Sequence, residues 1–338
     1  MIVDNALLEH ISNYQLSREQ ETLRFEEAER HRASTRLISV IKWLSSGGSS
    51  PAVTYEHILQ NHDSNDPQSG KWILEKEEMK AWLGDRVPKS SILWVQGRPG
   101  FGGLLPIFVW IRDGSNFRLD SIGKSVLSSV IIEHLKGLKD KAVSFFFCKH
   151  QDPTRSRFVN VQKGLLTETL KQRRHLVPHF YEMQQESGEP VLESPKLCQT
   201  LMKVIIQDIS RGFIVLDGVD ECPRDQIGNI LMFLKELVDE SDKDNPGKLR
   251  LLVMSRHEPE IERVLRGSET LRLGEADIAS DIESYVRKQC QSLQEMEAFR
   301  RYLNQDDIDY VIKNVTDSSD GMFSFFYPLP WILAANLE

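Results

Sequence analysis

An apolar run, Ser91-Ile92-Leu93-Trp94-Val95, leads into a glycine-rich turn, Gly97-Arg98-Pro99-Gly100-Phe101-Gly102. Further on, Gly123-Lys124-Ser125 opens a helix-like stretch from Val126 to Leu135. Joining Gly102 directly to Lys124 spells G-x-x-x-x-G-K-[ST] between a strand and a helix. That order constrains a chain strongly. A buried strand must end in a turn whose backbone N–H groups converge, and the next helix must aim its positive end at the same point. Glycines let the backbone turn and approach an anion closely. The lysine reaches the β- and γ-phosphates, and the serine hydroxyl ligates Mg²⁺. In this chain 21 residues, Gly103 to Gly123, separate Gly102 from Lys124.

Beyond Ser91 the sequence alternates. Apolar runs at Ala142 to Phe147, Phe213 to Leu216 and Leu249 to Met254 read as strands. Phe158 to Leu170, Ser194 to Ile209 and Gln226 to Val238 read as helices. Strands that are apolar throughout are expected when both faces of a sheet are covered, and the alternation predicts βαβ units. The predicted fold class is α/β, a P-loop NTPase with a mostly parallel sheet flanked by helices. A helical N-terminal segment precedes it, and a partial helical region follows.

A second motif is Phe213-Ile214-Val215-Leu216-Asp217-Gly218-Val219-Asp220-Glu221. Asp217, at the end of an apolar strand, stands where a carboxylate holds Mg²⁺. Asp220 and Glu221 lie just beyond, where a carboxylate can orient or deprotonate an attacking water. A third motif, Leu251-Leu252-Val253-Met254-Ser255-Arg256, ends a strand in an arginine able to reach a γ-phosphate and offset its charge.

Taken together, these motifs resemble NACHT domains, and more narrowly the nephrocystin-like N-terminal NTPase domain of fungal STAND (NLR-like) proteins. Val143-Ser-Phe-Phe-Phe-Cys148, Gly70-Lys71-Trp72-Ile73-Leu74 and the Asp277-Ile278…Asp281-Ile282…Tyr285-Val286 segment extend the likeness over roughly Tyr55 to Phe323. The resemblance implies a signalling switch driven by ATP (or GTP) and Mg²⁺, acting through self-association or effector proteins. Residue by residue, it implies that Gly97, Pro99, Gly100, Gly102, Gly123, Lys124 and Ser125 bind nucleotide. Ser125 and Asp217 would serve the metal, and Asp220, Glu221 and Arg256 catalysis.

Two segments depart from the family pattern. One is the Gly103–Gly123 insertion; the other is a tail, Ser324 to Glu338, where the family continues into a helix. Together they hold seven of the 28 aromatic residues but only five charged ones. T-rich noncoding DNA translates into such text, so both read as retained introns. With Gly103 and Leu104 following Gly102, no ammonium stands next in the phosphate loop, and the NTPase is expected to be weak or inactive.

The domain expectation is a helical N-terminal segment over 1–60, a nucleotide-binding domain over 61–276, a helical region over 277–323 and the aberrant tail over 324–338. Forty-two Lys and Arg against 50 Asp and Glu leave a formal charge of −8, which argues against nucleic acid as a partner. The basic run Lys171-Gln172-Arg173-Arg174-His175 reads as a solvated helix face, or as a partner patch. Four dispersed cysteines fit a reducing compartment. No apolar run is long enough to span a bilayer, and no signal peptide is evident, so a cytoplasmic protein without membrane contact is expected. Two other readings stay open. One is a non-catalytic interaction or scaffold protein with a degenerate nucleotide site; the other, less supported for want of an acceptor-substrate lid, is a metabolic P-loop kinase.

Overall fold

The computed structural model describes residues 5–45, 51–65, 68–97, 107–110, 116–119 and 124–274, with isolated positions at 277, 281, 283, 284, 287 and 309. Chain contacts divide it into two units: Met1–Ser45 with Leu170–Glu193, and Ser46–Thr169 with Ser194–Glu338.

The larger unit is built on a five-stranded sheet. Its strands are β1 (Ile92–Gly97), β4 (Ala142–Phe147), β5 (Gly212–Asp217), β6 (Leu249–Arg256) and β7 (Glu269–Arg272). All pairings are parallel, in the order β4-β5-β6-β1-β7. β1, β4 and β5 are buried along their whole length, which is why they read as continuous apolar runs. After β1 the chain crosses to β4 at the far edge, and after β6 it returns to the other side of β1. Such a reversal opens a crevice at the carboxyl ends of the strands, the usual place for a ligand in an open α/β sheet.

Register brings the motifs to that one edge. Gly97, the last residue of β1, is paired with Arg256, the last of β6. Asp217, the last of β5, is paired with Met254.

A short antiparallel hairpin, β2 (Ile107–Trp110) with β3 (Asn116–Leu119), lies inside the insertion. Ile107 is opposite Leu119, so the insertion runs out and back, and its two arms are only about 5 Å apart there.

Helix α4 (Lys124–Lys136) crosses one face of the sheet over β4, β5 and β6. Its Val126, Leu127, Val130, Ile131 and Leu135 join Leu93, Val95, Val143, Phe145, Phe213 and Val215 in a single core cluster. The sheet contributors alternate along each strand, as the period of two requires. On the same side lie α2 (Pro51–Asn65), the 3₁₀ turn Lys71–Glu75 and α3 (Glu77–Leu83). Helix α2 runs on to Asn65, past the end of the helical segment expected over 1–60. It is held by Tyr55, buried against Phe145 with ring centroids 5.2 Å apart and bonded through its hydroxyl to Glu133.

Helix α5 (Phe158–Gln172) meets the opposite face. A Cβ on Gly164 would stand only 2.4 Å from the Phe146 ring, so a glycine is needed for that approach. α7 (Pro195–Asp208) is capped by Ser194, whose hydroxyl accepts from the Leu197 N–H at 3.3 Å. α8 (Arg224–Asp244) packs on β6 and on α9 (Pro259–Val264). At the base of the sheet the buried guanidinium of Arg250 bonds the carbonyls of Gly84 at 2.8 Å, Arg86 at 2.9 Å and Gly247 at 3.1 Å, and also that of Trp82.

The smaller unit pairs α1 (Asn5–Leu44) with α6 (Val177–Ser187). The Leu192 N–H donates to the Trp43 carbonyl at 2.9 Å, and the Ser39 hydroxyl donates to the Gln184 side-chain oxygen at 3.1 Å. Helix α2 thus belongs with the sheet, and residues 170–193 with α1. No helix among the described residues is long and apolar enough to cross a membrane. Of the cysteines, Cys148, Cys198 and Cys222 are buried, and Cys290 lies outside the described residues.

Candidate functional site

The start of α4 and the end of β5 meet at the carboxyl edge of the sheet. The Ser125 hydroxyl donates to Asp217 Oδ2 at 2.6 Å, and the Ser128 hydroxyl donates to Oδ1 at 3.1 Å. Ser128 was not singled out from the sequence. Its signal was its position three residues after Ser125, on the same helix face. Asp217 is 3% exposed. Burial pushes its carboxyl up to about 6, against the two serine hydroxyls and the nearby Lys124 charge.

After Asp217 the chain turns through Gly218 at φ 72°, in the left-handed region. A Cβ there would also lie 3.1 Å from the Cys148 carbonyl oxygen. The turn seats Asp220 beneath two cations. Lys124 Nζ lies 3.4 Å from Asp220 Oδ2, and Arg256 Nε lies 3.6 Å from the same oxygen. Both the Lys124 and Asp220 side chains are nearly inaccessible to solvent. Glu221 faces elsewhere, accepting the His150 backbone N–H at 3.0 Å. The two carboxylates after the glycine therefore have different surroundings. Asp220 faces the lysine and the arginine, and Glu221 tethers the loop after β4.

Arg256 is bracketed by contacts that the sequence did not reveal. Trp94 Nε1 donates to the Ser255 hydroxyl at 2.8 Å, and that hydroxyl donates to the Arg256 carbonyl at 2.9 Å. The Trp94 ring also stacks on His257, with centroids 6.0 Å apart and planes 19° from parallel. Behind the acidic turn, a contact with Cys222 and burial together push the Cys148 thiol well above its ordinary range, which makes it unreactive at neutral pH.

The structure thus brings Lys124, Ser125, Asp217, Asp220 and Arg256 together, with Gly97 in register beside Arg256. Pro99, Gly100, Gly102 and Gly123 lie outside the described residues. Two buried polar atoms of the cluster, Asp220 Oδ1 and Arg256 Nε, have no hydrogen-bond partner among the described residues. Unpaired buried polar atoms are costly in a protein's interior. An anion able to accept from Arg256 and Lys124, and a cation or water at Asp220, would satisfy them. The residues present therefore fit a phosphate with its metal.

Residues 120–256 match the family model described as nephrocystin 3, N-terminal. The likeness read from the motifs holds over that segment, and the domain is P-loop NTPase-like. The nephrocystin-like match covers less than half of the chain. It starts just ahead of Lys124 and ends at Arg256, so the glycine-rich turn Gly97–Gly102 lies outside it. No curated protein sequence matches the chain. Among solved structures, the chain is similar to the Thermotoga maritima RuvB Holliday junction branch migration motor, at 11% identity, with 76% of this chain and 72% of that chain covered and a TM-score of 0.34. It is similar also to the Aeropyrum pernix ORC2 protein in its ADPNP-ADP complexes, at 10% identity, 80% and 67% coverage and a TM-score of 0.35. At these scores the likeness assigns nothing to this chain.

Proposed function

We propose that the chain is a nucleotide-binding switch of NACHT type, taking ATP or GTP with Mg²⁺ and hydrolysing it, and that the Gly103–Gly123 insertion weakens it. The observation that carries this reading is the convergence of Lys124 and Ser125 on Asp217 and Asp220, with Arg256 on the same carboxylate.

Each side chain has work suited to its place. Lys124 and Arg256 offer positive charge where phosphate oxygens would lie, and Asp220 holds both in position before a ligand arrives. Ser125 and Asp217 supply the oxygens for the metal, and bound Mg²⁺ would offset phosphate charge there. Asp220 keeps a buried carboxylate oxygen without a hydrogen-bond partner among the described residues, and so suits the orienting of an attacking water, while Glu221 accepts from the His150 N–H. The insertion works against this set. A phosphate nest draws on consecutive backbone N–H groups, and a hairpin leaving the chain beyond Gly102 interrupts that series.

The alternative is a scaffold whose nucleotide site is vestigial. Hydrolysis by a variant lacking Gly103 to Gly123 separates the two. Turnover that is lost on Asp220→Asn supports the switch, and a deletion variant that folds yet turns over neither ATP nor GTP favours the scaffold. Self-association and effector output belong to the same proposal, as does a cytoplasmic location.

A further inference from the structure

Helix α1 is exposed at every position from Gln20 to Arg36. Leu23, in the middle of that stretch, is 55% exposed. A long helical stretch that is polar and exposed all round is marginal in water on its own. Toward its C-terminal end the same helix packs on α6, and the segment between them borders a groove of about 330 Å³. Ala33, Leu37, Val177 and Pro178 make the groove apolar, while Arg30, Arg36 and Arg174 make it basic, and among the described residues no Asp or Glu lines it. The arginines are only lightly engaged. Arg30 stands 3.9 Å from exposed Glu26, and Arg36 lies 5.9 Å over the Tyr181 ring.

The α1 wall of the groove continues along the helix as one seam: Leu37, Ser34, Arg30, Glu27, Leu23. Its spacing alternates between three and four residues, as along a coiled-coil face, with Leu37 and Leu23 at its ends and polar residues between them. The seam is also complementary to itself when reversed. Laid antiparallel about a point between Ala28 and Glu29, two copies place Leu23 opposite Ser34 and Glu27 opposite Arg30, each twice by symmetry. In the same register Glu21 comes opposite Arg36, bringing a carboxylate to the basic groove, and Arg24 comes opposite Ala33.

We propose that α1 pairs antiparallel with α1 of a second copy of this chain about that twofold, with Leu23 and its neighbouring carboxylates entering the basic, apolar groove beside α6. An acidic helix from another protein would match the charge alone. The second copy matches charge and spacing together, with residues already in register. The inference does not depend on nucleotide binding.

The test is a double-cysteine variant, Leu23→Cys with Ser34→Cys. Eleven residues along one helix span about 16 Å, too far for a disulfide within a chain, which needs Cα atoms within about 7 Å. Mild oxidation should give a covalent dimer in high yield, while either single variant and the parent chain give little. Sedimentation of the parent chain at tens of micromolar should show a dimer. Glu27→Arg alone should shift it at least tenfold toward monomer, and adding Arg30→Glu should restore it, with helix content by circular dichroism unchanged throughout. A monomeric parent chain would overturn the proposal, whether or not the groove takes up an acidic peptide. So would a dimer that is indifferent to Glu27→Arg and is not trapped by the cysteine pair.

Discussion

The ammonium of Lys124 lies 3.4 Å from the carboxylate of Asp220, across 96 positions of sequence and nearly out of reach of solvent. The pair joins the first residue of α4 to the turn after β5, two of the elements that a phosphate-binding site must bring together. A buried ion pair recovers its desolvation cost only when geometry and further bonds are good. Here Arg256 shares the same carboxylate oxygen, and the other oxygen has no hydrogen-bond partner among the described residues. The arrangement is cheaper to keep if a ligand completes it.

Asp217, at the proposed metal site, should make Mg²⁺-dependent binding sensitive to pH. Burial holds its carboxyl at about 6, so it is mostly ionised at pH 7 and mostly neutral at pH 5. The Mg²⁺-dependent part of nucleotide affinity should fall about tenfold between those values, one decade per unit below the midpoint. Titrations with and without Mg²⁺ at several pH values measure it. A flat profile from pH 7 to pH 5 would remove Asp217 from the metal site.

The same shift predicts a trade between function and stability. Because the folded-state value lies above the unfolded one, the native state binds the extra proton, and the ionised form weakens the fold. The penalty is absent below about pH 4, grows between pH 4 and 6, and is complete above that. Asp217→Asn keeps both serine contacts by reversing one of them. It should therefore stabilise the ligand-free protein at pH 7 by on the order of 2–3 kcal/mol, with little effect at pH 4, while abolishing Mg²⁺-dependent binding. Urea melts at the two pH values check both halves of this statement.

Arg250 carries a prediction about the scaffold alone. Its guanidinium bonds four backbone carbonyls in the interior, among them those of Gly84, Arg86 and Gly247. Arg250→Met would leave them without donors and should cost on the order of 3 kcal/mol or more. Arg250→Lys, with fewer and less directed donors, should fall between. Denaturant midpoints rank the three proteins.

The parts of the fold that could be read from sequence were those where burial is complete. The strand at Ala142–Phe147 is apolar throughout because both sheet faces are covered, and its bounds match the expectation. β5 and β6 were equally plain. β7 was not, since Glu269-Thr270-Leu271-Arg272 is a short edge strand that is only partly buried. α2 falls mostly within the helical segment expected over 1–60, but its end at Asn65 lies beyond it. What holds it is Tyr55 on Phe145, a contact 90 residues away in sequence that local propensity cannot express. Within the site, Lys124, Ser125, Asp217, Asp220 and Arg256 were named from motif spacing. The separation of Asp220 from Glu221 was not legible, because it depends on a backbone N–H of His150 that any residue could supply.

The central claim is a nucleotide site that the insertion weakens. Its most direct test is calorimetric titration of ATP or GTP with Mg²⁺ into the intact chain, into a variant lacking Gly103 to Gly123, and into the Lys124→Ala version of each. The deletion variant should bind at least tenfold more tightly than the intact chain, and Lys124→Ala should abolish whatever binding either shows. Binding that survives Lys124→Ala, or that does not improve when the insertion is removed, would contradict the account.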